Sequence, residues 1–266
     1  RGLSEDATRA ISLTNLDLET GEVYTTPHQA RQQYLVDVDT RQVELLRPAL
    51  TLAGGANQEQ LEAAGNEDFS RVFFDSNPIT QDAVDAGLTS RVIYLYANGT
   101  RTLASVDPDG TPVSGRIARG VNAVARNAEV LYFNRTTLFQ PQVLYRRDVS
   151  GPNPETVLVN ADENSAEAVP EGSGTFVGWS EDGEIAYFTS TQRLVDEDTD
   201  DLADVYRYDH SQPEGSRLTL ISVDSEPNDA EAAADDVHVV SADGSAIAFS
   251  SQSQLVAGEP AEPGSK

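Results

Sequence analysis

Cysteine and methionine are absent from this 266-residue chain, and its one lysine is the last residue, Lys266. The missing cysteines exclude disulfides, thiolate chemistry and cysteine-ligated zinc together. The isolated lysine excludes a Schiff base or a phosphate-binding lysine loop. Basic residues are few: 18 against 44 acids, for a net charge of −26. That balance argues against duplex nucleic acid and anionic membranes as partners, since phosphate recognition needs clustered Lys and Arg. No apolar run approaches ~18 residues, so no helical span and no membrane insertion is expected. The absent initiator methionine marks the chain, in this reading, as a processed or excised piece. No export or lipid signal stands at either end.

What is present is a soluble composition, 38% hydrophobic with a mean hydropathy of −0.40, and an internal repeat. A small polar turn followed by a short apolar strand recurs as "SEDATRAIS" at Ser4, "NEDFSRVFF" at Asn66, "ARNAEVLYF" at Ala125, "SEDGEIAYF" at Ser180 and "SADGSAIAF" at Ser241. The strand ends Ser12, Phe74, Phe133, Phe188 and Phe249 are 62, 59, 55 and 61 residues apart. A Val/Tyr-rich second half follows four of the five, as in "VIYLYANGTRTLASV" and "VYRYDHSQPEGSRLTLISV". Asp182-Gly183, Asp243-Gly244 and Asn98-Gly99 supply positive-φ hairpin turns. Strands of about five residues rich in Val, Ile, Tyr and Phe complete the pattern. Only Asn57 to Ala64 reads as one or two helical turns.

Four short antiparallel strands repeated at this period predict an all-β fold, a β-propeller of four-stranded antiparallel blades. Four to five blades fall in this chain as one propeller segment, expected to be part of a larger propeller: 1–50, 58–107, 116–160, 173–223 and an incomplete 235–266. Cut blades would need a neighbouring chain or segment to cover their edges.

The segments "GWSEDGEIAYFTSTQRLVDEDTDDLADVYRYD" and "SADGSAIAFSSQSQLV" resemble the TolB-like, WD-repeat-like propeller repeats of secreted and periplasmic bacterial proteins. The resemblance is strongest from Thr175 onward. It implies a six- to eight-bladed propeller and an extracellular, cell-surface or periplasmic location. It also implies protein or ligand binding rather than chemistry.

In such a blade the first-to-second and third-to-fourth turns lie at one end, and the second-to-third loops and inter-blade links at the other. Here the second set is long, and loops on a rigid scaffold carry binding residues. Four of its segments, 107–115, 161–173, 196–204 and 224–236, hold 18 acids and no base. The plain reading is a solvated surface; the functional one is a face for a protein or small ligand of cationic character. Within "DEDTDDLAD", Asp196, Asp198, Asp200 and Asp204 alternate as hard-oxygen ligands for one structural Ca2+. The spacing resembles integrin-type propeller calcium loops, with Asp201 where a Gly is usual. The competing reading is that Asp204 braces the next strand.

No catalytic constellation is legible. His28, His210 and His238 share no ligand spacing, and His238, in "VHVV", reads as a core-edge residue. "GWSED" at Gly178 fails as a nucleophile elbow, since Asp182 replaces the final Gly. Trp179 reads as a packed aromatic. The expectation is a non-enzymatic exported binding or scaffold module without an organic cofactor. Its alternatives are the propeller of a prolyl-oligopeptidase-like peptidase whose catalytic domain lies elsewhere, and a structural cell-surface domain.

Overall fold

A computed structural model describes residues 3–14, 18, 32–48, 62–119, 123–135, 143–163, 175–199, 201–223, 234–251 and 255. The strands form successive antiparallel meanders. The first sheet is β1 (Arg9–Thr14), β2 (Gln32–Asp37) and β3 (Val43–Arg47). The second is β4 (Ala63–Gly65), β5 (Arg71–Ser76), β6 (Val92–Ala97) and β7 (Thr100–Leu103), with α1 (Gln81–Asp85) in its central loop. The third is β8 (Gly115–Ile117), β9 (Val130–Arg135), β10 (Leu144–Asp148) and β11 (Glu155–Leu158). The fourth is β12 (Thr175–Trp179), β13 (Ile185–Ser190), β14 (Asp204–Asp209) and β15 (Leu218–Leu220). Two strands, β16 (Ala234–Val240) and β17 (Ile247–Ser251), pair as the fifth. Each four-stranded meander, with neighbours in sequence order, is a propeller blade.

The short α1 was not legible, because "TQDAVD" has no apolar periodicity long enough to read. Conversely, Ala63 and Ala64, read as the end of a helical stretch, are paired in β4 with Phe74 and Phe73. Pairing with a buried strand outweighs the helix propensity of two alanines. Residues 57–61 of that stretch lie outside the described residues.

Contacts divide the chain into two compact units, Arg1–Ile117 with Val124–Thr136 and Arg146–Val157, and Ala118–Ala123 with Thr137–Tyr145 and Leu158–Lys266. In the first, Leu35, Leu46, Val72, Phe74, Val92, Tyr94, Tyr96 and Leu103 form a buried cluster. In the second, Tyr187 and Val205 gather Val177, Ile185, Ile221, Val240, Ile247 and Phe249. The strand-end aromatics Phe74, Phe133 and Phe188 are each fully buried. Phe74 and Phe188 meet the third-strand tyrosines Tyr94 and Tyr206 at ring-centroid distances of 5.7 and 5.5 Å. These are the offset contacts aromatic rings prefer.

One six-residue turn is built five times, beginning at Ser4, Asn66, Ala125, Ser180 and Ser241. In each, the first N–H donates to the sixth carbonyl at 2.8–3.1 Å, and the fourth N–H to the first carbonyl. The third side chain (Asp6, Asp68, Asn127, Asp182, Asp243) accepts the fifth N–H at 3.0–3.1 Å. Position four is left-handed every time: Ala7, Phe69, Ala128, Gly183 and Gly244 have φ between 52° and 76°. Only the last two are glycines, so three turns hold a strained side chain in place. At Gly244 an added Cβ would sit 2.8 Å from the Cβ of Ile185, which makes glycine obligatory there.

The fourth carbonyl is also a docking point for the preceding repeat. Within the first unit, Arg9 Nη1 donates to the Phe69 carbonyl at 3.3 Å and Arg71 Nε to that of Ala128 at 3.1 Å. Within the second, the Tyr187 hydroxyl donates to the Gly244 carbonyl at 2.9 Å. Neighbouring turns also join through backbone, Glu5 to Glu67 and Glu181 to Ala242. Within each unit, successive repeats are therefore joined through the turn itself.

Candidate functional site

The opposite strand ends carry the long loops, and the blades hold them by a recurring tyrosine. Tyr34 on β2, Tyr94 on β6 and Tyr206 on β14 each stand third in their strand and are fully buried. Their hydroxyls accept the N–H of Leu18 at 3.1 Å, Ile79 at 3.0 Å and Leu194 at 3.4 Å, each in the loop leading into that strand. A second device closes the same ends. Side-chain oxygens of Ser105, Asn160 and Ser222 accept the N–H of Ile93, Leu144 and Val205 at 2.9–3.0 Å. Loop entry and exit are thus tied to buried strand positions, a rigid base for residues between them.

The loop 196–204 shows what this does to the predicted calcium ligands. Asp196, Glu197 and Asp201 are exposed, and Asp201 pairs with Arg193 at 3.2 Å. Asp198 and Asp204 are buried. The Tyr206 hydroxyl donates either to an Asp198 carboxylate oxygen or to the Gln192 carbonyl at 2.7 Å. The Ser222 hydroxyl donates to Asp204 at 2.6 Å. Burial, together with the Asp198 carboxylate, drives the Tyr206 pKa well above its ordinary value. Two of the four predicted ligands therefore accept hydroxyls, from Tyr206 on β14 and from Ser222 just after β15, which is the bracing role weighed for Asp204. Asp200 lies outside the described residues. Among the described residues no three acids or histidines converge on a point that could hold a metal.

The catalytic candidates resolve as structure. Ser180 of "GWSED" donates to Asp182 at 2.5 Å and accepts the Ile185 N–H at 3.0 Å, so its hydroxyl belongs to the turn. Trp179 is buried, edge-on to Phe176 at 5.5 Å. His210 sits in the turn after β14 with Nδ1 2.9 Å from the Tyr208 hydroxyl. His238 is exposed on β16 rather than at the core edge, as is its neighbour Val239, where the pairing with β17 shifts register. His28 lies outside the described residues.

One charged group escaped sequence reading. Arg47 at the end of β3 is 0% exposed, Asp75 on β5 is 1% exposed, and Arg91 precedes β6. Asp75 accepts the Glu62 N–H at 2.6 Å and lies 3.5 Å from Arg91. Burial raises its pKa to about 6, with Arg91 opposing, and burial lowers that of Arg47 to about 10. The available signal was a charged residue closing each of two apolar strands, "VELLR" and "RVFFD". Such residues usually face water, so the pattern did not stand out.

No protein-family description matches this sequence, and no curated protein matches it. Solved structures do match. A prolyl endopeptidase structure aligns over 94% of this chain and 31% of its own, at 12% identity and a TM-score of 0.52. TolB from Acinetobacter baumannii aligns over 92% of this chain and 47% of its own, at 16% identity and a TM-score of 0.43. The β-propeller domain of the Trilobed protease from Pyrococcus furiosus aligns over 82% and 69%, at 11% identity and a TM-score of 0.34. The chain spans less than half of the first two proteins. At these identities the likeness concerns fold alone; the repeated four-stranded meanders define the chain as a β-propeller. Its structural neighbours include TolB-like propellers.

Proposed function

We propose that this chain is a non-catalytic binding or scaffold module that presents acidic loops to a basic protein segment. One observation carries the reading: the acid-rich, base-free segments 107–115, 196–204 and 224–236 adjoin strand ends locked by Ser105, Tyr206 and Ser222. A pre-positioned acidic loop attracts cationic partners while its neighbours remain fixed. An arginine-rich peptide should bind the chain, and the affinity should fall as salt screens it. Neutralising the exposed Asp196, Glu197 and Asp201 together should weaken that binding with melting unchanged. Equal binding of an acidic peptide, or no effect of the triple substitution, would remove the proposal.

The fold match to a prolyl endopeptidase, of which the chain spans 31%, supports a second reading. Here the module is the propeller of a larger peptidase. A "GxSxG" segment with α/β context in the adjoining gene sequence decides for it. An exported, bacterial-envelope location rests on the repeat resemblance and is tested by fractionation of the full-length protein. Structural calcium at Asp196, Asp198, Asp200 and Asp204 rests on ligand type and spacing alone.

A further inference from the structure

Asparagine followed by glycine occurs once in the chain, at Asn98-Gly99, and aspartate followed by glycine three times, at Gly110, Gly183 and Gly244. Such pairs close a side-chain imide readily, because glycine has no side chain to hinder attack by its nitrogen on the preceding residue. The structure sets one pair apart. The N–H groups of Gly110, Gly183 and Gly244 donate to the carbonyls of Asp107, Ser180 and Ser241 at 2.9, 3.0 and 2.9 Å. Asp182 and Asp243 are held as well, each accepting a serine hydroxyl and a backbone N–H. The Gly99 N–H and the Asn98 carboxamide make no hydrogen bond among the described residues, and both residues are exposed.

Asn98 and Gly99 form the two-residue loop between β6 and β7, with φ of 51° and 75° and Ala97 paired to Thr100 across it. Ring closure needs the Asn98 backbone to turn until the Gly99 nitrogen reaches Cγ, so the loop must open. That opening is local. β7 has four residues, lies at the edge of its sheet and exposes Thr100 and Thr102, and such segments open at little cost in free energy. At the other three glycines the bonds of the turn must break too.

We propose that Asn98 is a site of spontaneous modification in the folded chain, an intramolecular deamidation that loosens the join between the first two sheets. The Gly99 nitrogen loses its proton to hydroxide and attacks Asn98 Cγ; Nδ2 takes up a proton and leaves as ammonia. Water then opens the imide, at the Asn98 main-chain carbonyl to give isoaspartate or at the side-chain carbonyl to give aspartate. Isoaspartate lengthens the main chain by one methylene, which a two-residue loop matched to the twist of its strands cannot absorb. Beside it, Arg101 of β7 donates to the carbonyls of Leu45 and Leu46 on β3, and fraying of β7 releases that contact.

The test is peptide mapping after incubation of the chain, folded and in guanidinium chloride, with isoaspartate separated by chromatography. Asn98 is followed at pH 8.5 and the three aspartates at pH 5.5, where their acid forms react. At each site the ratio of unfolded to folded rates measures protection. The expected result is conversion of Asn98 in the folded chain, chiefly to isoaspartate, with protection about tenfold or more below that at the aspartates. The converted chain should melt lower than fresh material. Asn98→Gly, which keeps a turn that glycine adopts without strain, should hold its melting temperature through the same incubation. Asn98 left intact in the folded chain while the unfolded chain converts fully would overturn the proposal, as would equal protection at all four sites. So would unchanged melting after conversion, or an equal fall in Asn98→Gly.

Discussion

The two ends of the blades are built on different rules. At the turn end, the same six-residue unit recurs five times with the same internal bonds, and all of them close within five residues. At the loop end, partners are 12 to 17 residues apart, as in Ile93 with Ser105 and Val205 with Ser222. A whole hairpin, β6–β7 or β14–β15, lies between these partners, and the loops they anchor differ in sequence from blade to blade. The turn end repeats because its geometry is local; the loop end varies because only its anchors are constrained. Of the five buried charged residues among those described, Arg47, Asp75, Asp198 and Asp204 lie at the loop end, and Arg146 lies within β10. Function is therefore sought where repetition fails.

The largest effect that sharpens this contrast concerns Asp75. Its pKa rises from 3.8 to about 6 on folding, so its ionisation disfavours the folded state. The associated stability is present below about pH 3.8 and is lost as pH rises through about 6; by linkage it amounts to about 3 kcal/mol. Denaturant unfolding at pH 4.5 and 7.5 should show the Asp75→Asn variant gaining on the unaltered chain by most of that amount. A difference that does not change with pH would break the claim that the loop end stores buried charge.

Tyr206→Phe comes next. It removes the hydroxyl shared by Asp198, Gln192 and Leu194 and should lower stability by about 2 kcal/mol, since a buried acceptor loses its donor. Tyr94→Phe, whose hydroxyl accepts the Ile79 N–H and meets the Thr80 hydroxyl, should lower it by about 1 kcal/mol. The pair also tests the calcium reading. If an ion holds 196–204, chelator lowers the melting temperature and Tyr206→Phe matters little. Hydroxyl bracing reverses both results.

Smaller effects belong to the turn end. Ala7 is exposed with φ 58°, a conformation that glycine adopts without strain. Ala7→Gly should raise stability by up to about 1 kcal/mol, the released strain exceeding the added entropy of the unfolded chain. Loss of stability would mean that the turn draws on the methyl group. The smallest concerns Asp243, whose pKa falls to about 2 through bonds from Ser241 and Ser245. Its contribution is present above about pH 3.8 and is lost as pH falls through about 2. Carboxylate NMR titration reads it directly, and an ordinary pKa would show that the turn bonds do not persist in solution.

Legibility followed the same division. Asp182-Gly183 and Asp243-Gly244 announced two of the five turns, and the strand aromatics Phe74, Phe133 and Phe188 announced the core. Ala7, Phe69 and Ala128 did not announce theirs, because a left-handed alanine or phenylalanine carries no compositional mark. Asp198 and Asp204 were readable as acids but not as buried acceptors. The alternating spacing that suits a cation also arises when successive side chains turn in and out of a loop.

What the sequence by itself determined was the period, the strand chemistry and the turn, since each rests on hydrogen bonds and side-chain alternation within a few residues. Only the tertiary structure decided which charges are enclosed. Burial of Arg47 and Asp75 depends on strands from different repeats, and the electrostatic consequence of a charge depends on that enclosure rather than on the residue.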